Sequence, residues 1–187
     1  MKEFLVLKPL GFGLDISDLS LKIVNLQRRG RFFDLASWGE AVIPPGIIEQ
    51  GEIKDEKALA GLIRQVLAQA RGRKISTDWV VVSLPEEKSF LSVIQLPRMT
   101  TAELEKAVPF EAENHIPLSV KESILDFEVV EPLINRLDHL DVLLASAPQK
   151  VVDSYLKVIR LAGLRPLALE IESLASSRAL IKDGLSE

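Results

Sequence analysis

The sequence predicts a mixed α/β fold in which a small βαββα module interrupts a larger unit of strands and helices. Three observations support this prediction. A run of strand-like segments opens the chain, a helical crossover then returns to a buried strand, and a strand–helix–strand–strand–helix pattern precedes a last strand and helix. Together these segments amount to roughly eight strands and four helices.

Residues 12–44 predict three consecutive antiparallel strands joined by tight turns. The polar turn Ser17–Ser20 separates the first strand from the second. The third strand carries apolar side chains at odd and even positions alike, a pattern typical of a strand covered on both faces. We therefore expect Phe32, Phe33 and Trp38 to lie in the core.

Residues 55–72 carry the clearest helical pattern in the chain. Asp55 is the expected N-cap, apolar residues recur at helical spacing after it, and Gly72 marks the end. The apolar run Trp79–Leu84 then predicts a buried strand that is reached by a helical crossover. Trp79 is expected in the core as well.

Residues 89–162 predict the second module. Thr100–Glu103 has the spacing of a capping box and opens a helix that Pro109 should kink or shorten. Two strands follow, with Asn135 in the turn between them, and the next helix ends at Gly163. The expected subdomains are residues 1–86 with 164–187, and residues 87–163.

Composition excludes several classes of function. The chain has 187 residues, no cysteine, two histidines and a net charge of −4, so disulfide frameworks, thiolate zinc sites and cysteine nucleophiles are ruled out. It has no basic run of five or more residues, and we expect no nucleic acid partner. No apolar stretch approaches the roughly 20 residues of a bilayer span. We expect a soluble, cytoplasmic protein.

The first predicted hairpin carries the most suggestive group of polar residues. Asp15 lies at the end of a buried strand, where a carboxylate can hold a metal ion through water. The small residues of the turn can direct backbone N–H groups at phosphate oxygens, and Lys22 can neutralise phosphate charge. An ordinary polar hairpin turn is the alternative that these residues leave open.

Five segments, in consistent order and spacing, extend over nearly the whole chain. They are GLDISDLSLK at 13–22, IPPGIIEQGEI at 43–53, IQLPRM at 94–99, FEAENHIP at 110–117, and AGLRP with ESLA within 162–175. Together they resemble the PilM family, the actin-like proteins of type IV pilus assembly. They also resemble, more loosely, the division protein FtsA and the cytoplasmic part of the type II secretion L protein.

The resemblance implies a ribonuclease-H-like, actin-like subdomain interrupted by the βαββα subdomain. It also implies ATP and Mg²⁺ as ligands, bound between two halves of a clamp. The implied site residues are Asp15 for water around the magnesium, Ser17, Asp18 and Ser20 for the phosphate loop, Lys22 for a phosphate, and Glu172 for the attacking water.

Two departures from the family pattern weaken the expectation of catalysis. Ser17 stands where the family usually has glycine, and serine resists a positive φ. Asp18 puts a carboxylate where a hydroxyl normally faces the γ-phosphate, a costly like-charge approach unless the side chain points away. The chain also ends soon after Ile181. We therefore expect one half of a nucleotide clamp, with weak nucleotide binding.

The function implied by the resemblance is a scaffold rather than an enzyme. Such a scaffold docks the cytoplasmic N-terminal tail of a PilN-like bitopic inner-membrane protein, and is peripheral to the inner membrane through its partners. The alternatives are a type II secretion L-type scaffold, an FtsA-like division scaffold, and a metal-dependent ribonuclease-H-like enzyme that uses Asp15 and Glu172.

Overall fold

The computed structural model describes residues 10–117, 119–130 and 138–181. The turn expected at Asn135 lies outside them. The chain divides into two compact units, one formed by residues up to Pro85 together with those from Ser154 onward, the other by Glu86–Asp153. The subdomain boundaries expected from the sequence stay a prediction. No helix within the described residues is long and apolar enough to span a membrane.

The main helices and strands follow the predicted order, and the predicted fold class is confirmed: the described residues form a mixed α/β fold with a large sheet and four α-helices. Three two-residue strands add to the expected set. The bounds are β1 Phe12–Ile16, β2 Ser20–Arg29, β3 Phe32–Val42, β4 Ile48–Glu49, β5 Glu52–Ile53, α1 Glu56–Gln69, β6 Arg71–Gly72, β7 Trp79–Leu84, β8 Phe90–Pro97, α2 Thr101–His115, β9 Ser123–Val130, β10 His139–Pro148, α3 Gln149–Leu161, β11 Arg165–Ile171 and α4 Glu172–Leu180.

The first unit is built on a six-stranded sheet with strand order β11-β7-β1-β2-β3-β6. The strands β1 and β2 are antiparallel, whereas β1, β7 and β11 are parallel to one another. Parallel neighbours need a crossover connection, which α1 helps to provide between β3 and β7. The carboxyl ends of β1, β7 and β11 therefore meet at one edge of the sheet.

One face of this sheet forms the core of the first unit. Phe12, Leu14 and Ile16 of β1 are buried, while the residues between them point to the opposite face. Helix α1 contacts β2 and β3. Its N-cap is Asp55, as predicted, and the Asp55 Oδ1 accepts a hydrogen bond of 2.9 Å from the Ala58 N–H.

The prediction that β3 is covered on both faces is wrong. Phe32 and Phe33 are 76% and 67% exposed, whereas Trp38 and Trp79 are half-buried. The reason lies in strand length: β1 pairs with β2 only as far as Val24, so the rest of the β2–β3 hairpin extends past β1. Aromatic composition alone does not report where a neighbouring strand ends.

The second unit packs α2 on a three-stranded antiparallel sheet with order β8-β10-β9. The predicted capping box forms, because the Thr100 N–H donates to the Glu103 carboxylate at 2.8 Å. The helix runs through Pro109 to its end six residues later, so the expected shortening does not occur. Val108 and Ala112, on either side of that proline, are fully buried, and their packing offsets the missing backbone hydrogen bond.

Candidate functional site

Asp15 lies near the carboxyl end of β1, on the face opposite the buried side chains. Its Oδ1 accepts a hydrogen bond of 2.7 Å from the Ser83 hydroxyl, and its Oδ2 lies 3.7 Å from the Lys22 Nζ. The Ser83 Oγ in turn accepts a bond of 3.1 Å from the Ile16 N–H. With 36% of the Asp15 side chain exposed, the carboxylate is oriented yet open to solvent.

These contacts belong to a row of polar side chains that crosses four strands. Lys22 on β2 is the direct partner of Asp15, and Glu170 on β11 is the direct partner of Ser83 on β7. Directly paired residues share a sheet face, so the row lies on one face near the end of the parallel strands. At its far end, the Glu170 Oε1 is 3.3 Å from the Arg178 Nη1 of α4.

Sequence reasoning found Asp15 and Lys22 but missed Ser83 and Glu170. The available signal for Ser83 was a single hydroxyl inside the otherwise apolar run of β7. The position of Glu170 beside Ser83 depends on the pairing of β11 with β7, and the sequence of β11 alone does not indicate which strand it pairs with.

The turn between β1 and β2 is closed by its own serines. The Ser17 N–H donates to the Ser20 carbonyl at 2.9 Å, and the Ser20 N–H donates to the Ser17 Oγ at 3.1 Å. The two hydroxyls lie 3.1 Å apart. Within the described residues, no acceptor is found for the N–H groups of Asp18 and Leu19, so these two amides are available to an anionic ligand.

Ser17 costs the turn no backbone strain. In the described part of the chain, Gln50 is the one non-glycine residue with a positive φ, so Ser17 adopts a conformation that any residue tolerates. The concern that a serine here would be forced into a left-handed conformation therefore does not apply.

Asp18 directs its carboxylate at a neighbouring hairpin. Its Oδ2 accepts a hydrogen bond of 2.6 Å from the Gln50 N–H, and its Oδ1 accepts one of 2.8 Å from the Gly51 N–H. Gln50 and Gly51 form the turn between β4 and β5, with φ values of 51° and 73°. The carboxylate thus accepts hydrogen bonds from two backbone donors, which stabilise its negative charge.

Glu172 is the first residue of α4, directly after Ile171, which pairs with Leu84 at the end of β7. The structure thus puts this residue at a strand-to-helix junction. The hydroxyl of the next residue, Ser173, is buried and has no hydrogen-bond partner among the described residues. The role of Glu172 in positioning water stays a prediction.

The groups around Asp15 fit one side of a magnesium–nucleotide complex. They comprise one carboxylate, one ammonium and two loop N–H groups, and Mg²⁺ is commonly held by one or two carboxylates, phosphate oxygens and water. Across residues 10–117, 119–130 and 138–181, no group of three or more histidines or acidic residues could hold a metal ion. The neighbours of Asp15 are a hydroxyl and an ammonium, unlike the several carboxylates of a two-metal nuclease.

Comparison with known proteins identifies a family and several similar solved structures, including the following two. The family described as type IV pilus assembly protein PilM matches residues 13–187. The solved PilM–PilN type IV pilus biogenesis complex is similar over 93% of this chain and 51% of that chain, with 33% identity and a TM-score of 0.80.

The second structure is the cytoplasmic domain of EpsL, an inner-membrane component of the type II secretion system of Vibrio cholerae. It matches 85% of this chain and 56% of its own, with 15% identity and a TM-score of 0.51, which shows a shared fold alone. The chain thus spans about half the length of the solved chains that it matches.

Proposed function

The chain belongs to the PilM family of type IV pilus assembly proteins, and we propose that it acts there as a docking scaffold for an inner-membrane partner. The docked segment is the cytoplasmic N-terminal tail of a PilN-like bitopic protein. One observation carries the proposal: a protein 33% identical to this chain over 93% of its length was solved as a complex with PilN. In this function the protein works in the cytoplasm, held at the inner membrane through its partner.

The apolar side chains that the chain exposes are suited to binding such a tail. A short linear segment binds by placing a few apolar side chains on an apolar surface, with polar groups around them. Val93, Phe110 and Ile124 of the second unit are examples of apolar side chains that are exposed. Because a short tail buries a small area and loses conformational freedom on binding, we expect a micromolar dissociation constant.

Calorimetric titration of the chain with a synthetic peptide of the tail tests this function. We expect heat of binding, together with changes in amide NMR spectra confined to one surface. A peptide of the same composition in scrambled order is the control and should give neither. If millimolar tail peptide gave no heat and no spectral change, the docking function would be wrong.

We further propose that the Asp15 region forms one side of a magnesium–ATP site. Asp15, oriented by Ser83, would hold water around the magnesium, Lys22 would face a phosphate, and the amides of Asp18 and Leu19 would donate to phosphate oxygens. The bound Mg²⁺ would supply neutralisation of the phosphate charge. Because a one-sided site leaves most of the nucleotide in water, we expect weak binding and no appreciable hydrolysis by this chain.

A fluorescent ATP analogue with Mg²⁺ tests the nucleotide site by equilibrium titration. Asp15→Asn and Lys22→Gln should each weaken binding, whereas Glu172→Gln should leave it unchanged, since its expected role concerns only the attacking water. Asp34→Asn is the matched control, because it removes an exposed carboxylate paired with an arginine in the same sheet. Phosphate release at the rate of a full-length PilM-family protein would contradict the one-sided site.

A further inference from the structure

The tip of the β2–β3 hairpin is exposed at every residue from 26 to 35. Four of these residues are large and apolar: Leu26, Phe32, Phe33 and Leu35, all more than half exposed. Leaving two phenylalanine rings in water is unfavourable, and clustered exposed apolar side chains mark interaction sites. The tip is therefore a candidate interaction surface that the proposed nucleotide site does not use.

The apolar side chains lie on both faces of the hairpin. Leu26 pairs directly with Leu35, and Arg28 pairs with Phe33, which gives one face three apolar groups. On the other face, Phe32 is the direct partner of Arg29. A flat protein partner would cover one face and leave the other in water. A medium that surrounds the tip, such as the interfacial region of a bilayer, would cover both.

Positive charge is concentrated around the same tip. Residues 25–36 and the adjoining residues 71–74 contain six cationic side chains and one carboxylate, that of Asp34. The two segments are joined by the Arg73 N–H, which donates to the Ala36 carbonyl at 2.8 Å, and by a hydrogen bond from the Arg73 guanidinium to the Gln27 side chain. The cationic residues are Arg28, Arg29, Arg31, Arg71, Arg73 and Lys74.

This local charge is opposite to that of the rest of the protein. The two segments carry +5 in a chain whose net charge is −4, so the remaining residues carry −9. Asp34 is already paired with Arg29, at 3.4 Å between oxygen and nitrogen. An anionic surface would attract this tip and repel the rest of the chain. The first unit would therefore approach such a surface with the tip first.

We propose that the hairpin tip binds the surface of an anionic phospholipid bilayer directly. Phe32 and Phe33 enter the interfacial region, and the surrounding arginines contact phosphate groups of the lipid heads. This adds a protein–lipid contact to the partner-mediated attachment of the docking scaffold and does not depend on it. Binding by one small tip is weak and reversible, and it is strengthened when a membrane protein partner holds the chain close by.

Vesicle flotation with the full 187-residue chain tests the proposal. We expect binding to vesicles of equimolar phosphatidylcholine and phosphatidylglycerol, no binding to phosphatidylcholine alone, and release at high salt. Arg28→Gln with Arg31→Gln should weaken binding about twenty-five-fold, at about five-fold per arginine near an anionic surface. Phe32→Ser with Phe33→Ser should weaken it at least about ten-fold.

The chain offers matched controls for both double variants. Phe110 is 75% exposed, close to the 76% of Phe32. Because Phe110 lies on α2 beside glutamates, Phe110→Ser should leave vesicle binding unchanged. Lys106→Gln with Lys150→Gln removes the same charge from outside the tip, with little effect expected. Phe33→Trp, made in a chain whose Trp38 and Trp79 are both replaced by phenylalanine, supplies a local signal, because its emission should shift to shorter wavelength with anionic vesicles.

Three results would overturn the proposal. The first is no binding to the anionic vesicles, and the second is binding that the tip variants and the control variants weaken equally. The third is that the tip holds two copies of the chain together. Light scattering would then show dimers with or without lipid, and Phe32→Ser with Phe33→Ser would convert them to monomers. All the tip positions are exposed, so circular dichroism should show every variant folded.

Discussion

Replacing Asp18 with alanine tests whether this carboxylate supports the fold or faces a ligand. The change removes two acceptors, those of the Gln50 and Gly51 N–H groups. A hydrogen bond to a charged group contributes about 1.5–3 kcal/mol, and water can replace part of each bond because Gln50 is exposed. We therefore expect the free energy of unfolding to fall by about 2 kcal/mol, which lowers the melting temperature by about 4–8 °C.

Urea unfolding followed by tryptophan fluorescence measures this decrease in the free energy of unfolding in the unit that contains Asp18. Both tryptophans, Trp38 and Trp79, belong to the same unit as Asp18, so their emission reports on that unit. Asp18→Asn keeps one acceptor oxygen and should lose about half as much, about 1 kcal/mol. The matched control is Asp34→Ala, which removes an exposed ion pair and should cost at most about 0.5 kcal/mol.

Nucleotide titration of the same variant separates the two roles of Asp18. If the carboxylate faced a phosphate, removing its charge would strengthen binding of magnesium–ATP. With the carboxylate held by Gln50 and Gly51, we expect binding that is unchanged or weaker. The reasoning is refuted if Asp18→Ala unfolds no more easily than Asp34→Ala, or if it binds nucleotide more tightly than the parent chain.

Three further predictions concern a glycine in a tight position, a helix capping box and the hydroxyl beside Asp15. Gly72→Ala should lower the free energy of unfolding in urea by more than about 2 kcal/mol. Gly72 has a φ of 92°, and its new Cβ would overlap a backbone carbonyl of β3. Gly30→Ala, at a φ of 62° in open space, should lower the free energy of unfolding by only about 1–2 kcal/mol. The pKa of Glu103 is lowered because the capping-box backbone and hydroxyl donate to its carboxylate, so its stabilisation is lost as pH falls through that lowered value. NMR titration should find this pKa below its ordinary value, and Glu103→Ala should reduce the acid sensitivity of melting. Ser83→Ala should weaken magnesium–ATP binding less than Asp15→Asn does, because it frees the carboxylate rotamer without removing the charge.

The sequence predicted most of the fold because its signals are local. The capping box at Thr100–Glu103 and the N-cap at Asp55 depend on residues three positions apart, and both form as expected. The exposure of Phe32 and Phe33 was mispredicted because it depends on where another strand ends. Hydrophobic composition identifies a strand but does not give the extent of the strands beside it.

The same distinction separates the site residues that were found from those that were missed. Asp15 and Lys22 face each other across one short hairpin, so a turn at the right position brings them together. Ser83 is 68 residues from Asp15 in sequence, and its contact depends on a parallel pairing that follows a crossover. The sequence therefore indicated the charged pair, while the hydroxyl that orients the carboxylate required the structure.

The contact of Asp18 with the β4–β5 turn also explains a segment whose purpose the sequence left open. Residues 43–53 help to identify the family, and their backbone N–H groups at Gln50 and Gly51 hold the Asp18 carboxylate. The Gly51 carbonyl accepts from the Tyr155 hydroxyl at 3.4 Å, which ties the turn to α3. Because the loop, this turn and α3 are linked in series, a ligand that moved the Asp18 amide would also disturb the turn. The segment is therefore best understood as support that fixes the loop between β1 and β2.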